Sequence, residues 1–133
     1  MKHYNVFQLS DRIYDDLDEA RMGRMLPLEA DTLDKIYHNN RSSRNEETIQ
    51  NATVGLWSRG YFEKVAEVVA DGLEGVFHKC QNLENSWLEN PHVAFVFIKR
   101  SRGAYSLSVG DIVEDIETGK RYIVFSFGFL EAV

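Results

Sequence analysis

Asp111, Asp115 and Glu117 fall at even spacing near the end of the chain, where a β-strand would turn all three carboxylates to one face. Hard oxygen ligands grouped in that way could hold a divalent cation. No further ligand or base stands at a recognisable spacing from them, so a solvent-facing strand edge is the plainer reading. Lys99, Arg100 and Arg102 stand beside Tyr105 and follow Phe95 and Phe97. Such a turn could grip a nucleotide phosphate while a ring stacks on the base, and these four residues are the ligand-binding candidates. The plainer reading is a charged turn that ends an apolar strand and blunts aggregation. Asp11, Asp15, Asp18 and Glu19 share the flank of a helix opposite Ile13 and Leu17. An acidic stripe of this kind could imitate DNA phosphates toward a restriction or repair enzyme, although acids near a helix N-terminus are favoured by the helix dipole in any case. Together with Arg41 and Arg44 they are the candidates for protein binding.

Other reactive side chains combine poorly. His78 and Cys80 are two residues apart, which on a helix points them to different sides and does not suit a shared metal. His3, His38 and His92 are scattered. The chain has no nucleophile elbow, phosphate-binding glycine loop, H-E-x-x-H or C-x-x-C pattern. No catalytic residue, metal ligand or cofactor is therefore assigned, and a noncatalytic role is the expectation.

The elements that must position these residues can be read from periodicity. His3 to Leu9 is rich in β-branched and aromatic residues and predicts a strand, with Ser10 as N-cap of a helix from Asp11 to about Met22. A second, short helix is expected around Leu28, Leu33, Ile36 and Tyr37, entered at Thr32 or at Pro27. The polar run from His38 to Thr48 predicts a mobile surface loop. Tyr61 to Ala70 reads as a strand, and Asp71 as the cap of a helix whose Leu73, Val76, Phe77 and Cys80 make one apolar face. Trp87 and Leu88 are expected to fold back onto the body. Val93 to Lys99 predicts a central strand. Asp111 to Glu117 and Arg121 to Phe129 predict a hairpin around Gly119, launched by a turn at Gly110. Ile123, Phe125, Phe127 and Phe129 should line one face of its second strand, against the helix that ends near Cys80, with Gly128 at a bulge or a close backbone approach.

The expected fold is α+β: a single domain over 1–133, with a mainly antiparallel sheet of about five strands and two or three helices packed on one face. The chain's 133 residues suffice for one sizeable core. With 44% hydrophobic residues it is too apolar for disorder. Its longest apolar run, Val93 to Ile98, is far short of the roughly 20 residues that cross a bilayer. The start of the chain lacks the apolar core of a secretory signal, and the single cysteine suits a reducing compartment, so a cytoplasmic location without membrane attachment is expected. A net charge of −6 argues against nonspecific nucleic-acid binding. The charge is uneven: residues 1–40 carry net −3 and residues 61–90 net −4.

The quoted stretches "YNVFQL", "DGLEGVFHKCQN" and "SLSVGDIVEDIETGKRYIVFSFGF" resemble the YodL-like family of small proteins from bacteriophages and bacterial mobile elements. Ser106, Ser108, Val109, Asp111, Ile112 and Val113, then Ser126, Phe127, Gly128 and Phe129, carry the match. Residues 24–60 have no counterpart, and the apolar strand at Val93 departs from the family pattern. The resemblance implies a phage or mobile-element origin and a small intracellular protein, and carries over no biochemical role. The expected function is that of a noncatalytic accessory protein acting in the host cytoplasm by binding a host protein or a small charged ligand, with counter-defence or host takeover as the role such proteins often have. Alternatives are a small nucleotide-binding protein or hydrolase using the basic turn 99–102, and a minor structural protein of the virion that forms homo-oligomers.

Overall fold

Alternating side chains at the start of the chain build strand β1, Lys2–Leu9, in which Tyr4, Val6 and Gln8 are buried on one face. The computed structural model describes residues 1–82, 86–96, 105–126 and 128–132. Within them the remaining strands are β2 (Phe62–Ala70), β3 (Val93–Val96), β4 (Ile112–Asp115), β5 (Arg121–Phe125) and β6 (Gly128–Glu131). Helices α1 (Arg12–Arg21), α2 (Pro27–Ser42), α3 (Glu46–Ser58) and α4 (Leu73–Lys79) join a single 3₁₀ turn at Trp87–Glu89. The strands form one sheet in the order β3-β2-β1-β4-β5-β6. The fold is α+β, as expected, with six antiparallel strands rather than five.

The chain packs as two compact units, one of residues 1–8 and 64–133 and one of residues 9–63. In the first, Val6 faces Val113 across the β1–β4 pair. Val124 faces Phe129 across β5–β6. Tyr4, Val6, Val113 and Val124 join Val76, Cys80 and Trp87 in one apolar cluster, with Phe77 and Phe129 against it. Trp87 does fold back: it is buried, and its indole Nε1 donates to the Tyr105 carbonyl at 2.7 Å. Asp111 staples the entry to β4, its carboxylate accepting from the Ser108 backbone N–H at 3.0 Å and from the Gln8 amide at 3.2 Å. Gly110 and Gly119 both take positive φ, 93° and 73°, at the two turns predicted for them.

In the second unit Leu9, Ile13, Leu17, Leu33, Leu56 and Tyr61 form a separate apolar cluster. The spacing of Ile13 and Leu17 buries one stripe of α1, as read from the sequence.

Several expectations are corrected. The run 38–48 is not a loop. Helix α2 continues to Ser42, α3 starts at Glu46, and three residues join them. Asn40, which looked like a surface residue, is fully buried and its amide donates to Thr53 Oγ1 at 2.8 Å. Asn45 caps α3, its side chain accepting from the Thr48 N–H at 3.0 Å, and Glu46 and Glu47 favour the first turn. Polar composition thus encodes caps and internal hydrogen bonding there. Pro27, not Thr32, begins α2. Asp11 and Gly72 occupy the N-cap positions expected for Ser10 and Asp71, and neither makes a side-chain cap bond.

Val93–Val96 is an edge strand and not a central one, which leaves Phe95 61% exposed. The predicted continuation to Lys99 lies outside the described residues. The long strand from Arg121 to Phe129 is two strands: the chain reverses after Phe125, whose partner in the ladder is Gly128 with φ 111°. Gly128 therefore closes a tight turn rather than marking a bulge. This reversal breaks the alternation. It is the Val124 side of β5 that joins the cluster with Val76 and Cys80, while Ile123 faces Ile112 on the other side of the sheet, both buried. Phe129 reaches the cluster because it pairs with Val124; Phe127 lies outside the described residues.

Candidate functional site

Four large apolar residues, Met22, Met25, Leu26 and Leu28, sit within seven positions around Pro27. A link between two helices cannot turn all of them inward. Met22, Leu26 and Leu28 are accordingly 65%, 67% and 79% exposed. Leu28 lines a groove of about 400 Å³ in the helical unit, together with Met25, Glu29, Thr32, Leu33, Arg59 and Tyr61. Pro27 at the first position of α2 holds Leu28 at the open N-terminal turn, where there is no preceding turn of helix to cover it.

The groove has a fixed wall. Tyr61 is buried, and its hydroxyl donates to Asp16 at 2.6 Å. Burial, with the Asp16 hydrogen bond second, pushes this phenol up to about 12. The Arg12 guanidinium lies 4.6 Å from the Tyr61 ring centre and donates to the Arg59 carbonyl at 2.7 Å. α1 is thereby tied to the end of α3 beneath the groove. Arg59 donates back to the Gly55 carbonyl at 3.0 Å. Glu29 is exposed and makes no ion pair among the described residues. The groove thus offers an apolar floor with one carboxylate and one guanidinium at its rim.

The predicted site residues are dispersed differently. Asp11, Asp15 and Asp18 are exposed on α1 as expected, but Asp18 pairs with Arg21 at 3.7 Å and Glu19 with Arg24 at 3.2 Å, which dilutes the acidic stripe. The acid of α1 with the firmest structural bond is Asp16, which the sequence pattern did not single out. Arg41 is at the end of α2 and Arg44 in the short connection to α3. Lys99, Arg100 and Arg102 lie outside the described residues. Tyr105 is described, and its carbonyl accepts from the Gln8 amide at 2.8 Å as well as from Trp87.

Of the three carboxylates Asp111, Asp115 and Glu117, only Glu117 is solvent-facing. Asp111 and Asp115 are buried. Asp115 accepts from Lys2 Nζ at 3.0 Å and from the backbone N–H of Glu117 at 3.0 Å. The Lys2 ammonium, helped by those turn N–H groups, holds its carboxyl below the usual range, and the same pair raises Lys2. Among the described residues no group of His, Cys, Asp or Glu is placed to hold a metal. Cys80 is buried, and desolvation pushes its thiol up to about 12, which suits a core residue rather than a nucleophile. Among the described residues no helix is long and apolar enough to cross a membrane.

Comparison of the chain with protein-family models, with curated proteins and with solved structures returned no match.

Proposed function

We propose that the chain is a noncatalytic accessory protein of a phage or mobile element, and that it binds a host protein through the apolar groove of its helical unit. The observation that carries this reading is a preformed groove lined by the largely exposed Leu28, close in sequence to the exposed Met22 and Leu26, since exposed apolar clusters rimmed by polar groups are typical of interaction surfaces. The occupant is a segment of the partner that inserts a large apolar side chain between a basic residue facing Glu29 and an acidic one facing Arg59. The resemblance carried by the closing hairpin supports the phage setting, and a cytoplasmic place of action follows from it.

The test compares the chain with Leu28→Asp as baits in host lysate, followed by titration of the purified partner. Leu28 is largely exposed, so the variant should fold with an unchanged circular dichroism spectrum. The reading expects one partner that binds saturably and loses at least tenfold in affinity to Leu28→Asp, about 1.4 kcal/mol or more. A partner held equally by both forms, or self-association abolished by Leu28→Asp with no second protein bound, would refute it.

A further inference from the structure

We infer that Met25 is a site of reversible oxidation, at which a peroxide converts the thioether to the sulfoxide and so disables apolar binding in the groove of the helical unit. The inference rests on the groove being the contact surface proposed above. Met25 stands in the link between α1, which ends at Arg21, and α2, which starts at Pro27. It is half-buried: it packs against the apolar cluster of that unit and lines the groove beside Leu33 and Tyr61. The side chain thus belongs both to the apolar floor and to the surface that a ligand would touch.

Of the three methionines in the chain, Met1 and Met22 are 79% and 65% exposed, but neither lines the groove. Oxidation at those two leaves its floor unchanged. The single thiol does not compete for the oxidant, because Cys80 is fully buried and desolvation disfavours its reactive thiolate. In the step itself the sulfur lone pair attacks one oxygen of hydrogen peroxide, the O–O bond breaks and an S–O bond forms. The hydroxide released takes up the remaining proton and leaves as water, so sulfur loses the two electrons that the peroxide gains. A soft apolar atom becomes a polar S–O group. That group must shed water whenever an apolar side chain enters the groove, which is costly without a hydrogen-bond donor. The hydroxyls of the lining are committed: Thr32 donates to the Leu28 carbonyl and Tyr61 to Asp16. Arg59 keeps N–H groups at the rim, and a sulfoxide drawn to them would occupy the guanidinium that an acidic partner residue needs.

The experiment measures binding of N-phenyl-1-naphthylamine, an uncharged dye whose fluorescence rises in apolar surroundings, to the full chain before and after graded hydrogen peroxide. Sulfoxide at each methionine is counted by peptide mass spectrometry. Dye binding that is lost in Leu28→Asp reports the groove whether or not a host partner exists, so failure of the partner reading and failure of this inference appear separately. The expected result is an affinity that falls about tenfold in step with sulfoxide at Met25 and returns on treatment with methionine sulfoxide reductases of both epimer specificities. Met22→Leu and Met25→Leu are each compared with their own untreated form: peroxide should weaken the first and leave the second as it was. No sulfoxide at Met25 under conditions that convert Met22, dye affinity unchanged with Met25 converted, or an equal loss in Met25→Leu would each overturn the site. So would an untreated chain without dye binding sensitive to Leu28→Asp, or a helical circular dichroism signal lost in step with the Met25 sulfoxide, which would make the effect one of unfolding.

Discussion

Asp115 links the first strand to the last hairpin through one buried carboxylate. Its bond to Lys2 and to the turn N–H groups makes acid sensitivity predictable in sign. A carboxyl held below its unfolded value, about 3.9, contributes stability above that pH and loses it as pH falls through the lowered value. Lys2, raised by the same pair, contributes below about pH 10.4 and loses its share on further rise. Wild type should therefore lose thermal stability more steeply than Asp115→Asn when acidified below about pH 4; parallel Tm-against-pH curves for the two would contradict the assignment. Asn40 is another buried polar residue with a specific partner. Asn40→Ala removes the donor to Thr53 and should cost about 1–3 kcal/mol in urea unfolding, far more than expected of a surface-loop asparagine. Neither residue was legible in the sequence. Asn40 sits in a run whose composition looks like loop, and Asp115 reads as a surface acid unless its pairing to Lys2, 113 positions away, is known.

Elements whose signal is local were legible. β1, α1 and the apolar face of α4 follow from alternation and helical spacing, and Gly119 from the turn chemistry of a tight hairpin. Gly119→Ala meets no atom within 4 Å, so its cost should come from the backbone alone, about 1–2 kcal/mol for an L-residue at positive φ. A Tm unchanged by that substitution would show that the turn relaxes freely. Elements defined by long-range pairing were less legible. A run of apolar residues does not say whether a strand is central or at an edge, and β3 proved to be at the edge. The strand predicted from Arg121 to Phe129 hid a reversal, because nothing local distinguishes the turn after Phe125 from continued alternation. Trp87 illustrates the favourable case: a lone large aromatic in a polar link folded back as expected. Trp87→Ala should destabilise by about 3–5 kcal/mol, measured by chemical denaturation.

On the scale of the whole molecule, two separate apolar clusters divide the work of folding between residues 9–63 and the rest of the chain. The helical unit carries eleven acids and seven bases, net −4 of the total −6, so most of the charge imbalance belongs to the part that also exposes Met22, Leu26 and Leu28. The sequence pointed to binding rather than catalysis and offered the acidic flank of α1, the run 38–48 and the basic turn 99–102 as contact surfaces, to which the proposed groove is an addition. The groove escaped notice because Leu28 looked like a core position of a short helix, and its exposure depends on where Pro27 starts that helix. The most direct test of the account is hydrogen–deuterium exchange of the chain with and without its saturating partner. Protection of the amides of residues 22–33 and 57–61 is predicted; protection confined to other segments, with these unchanged, would contradict it.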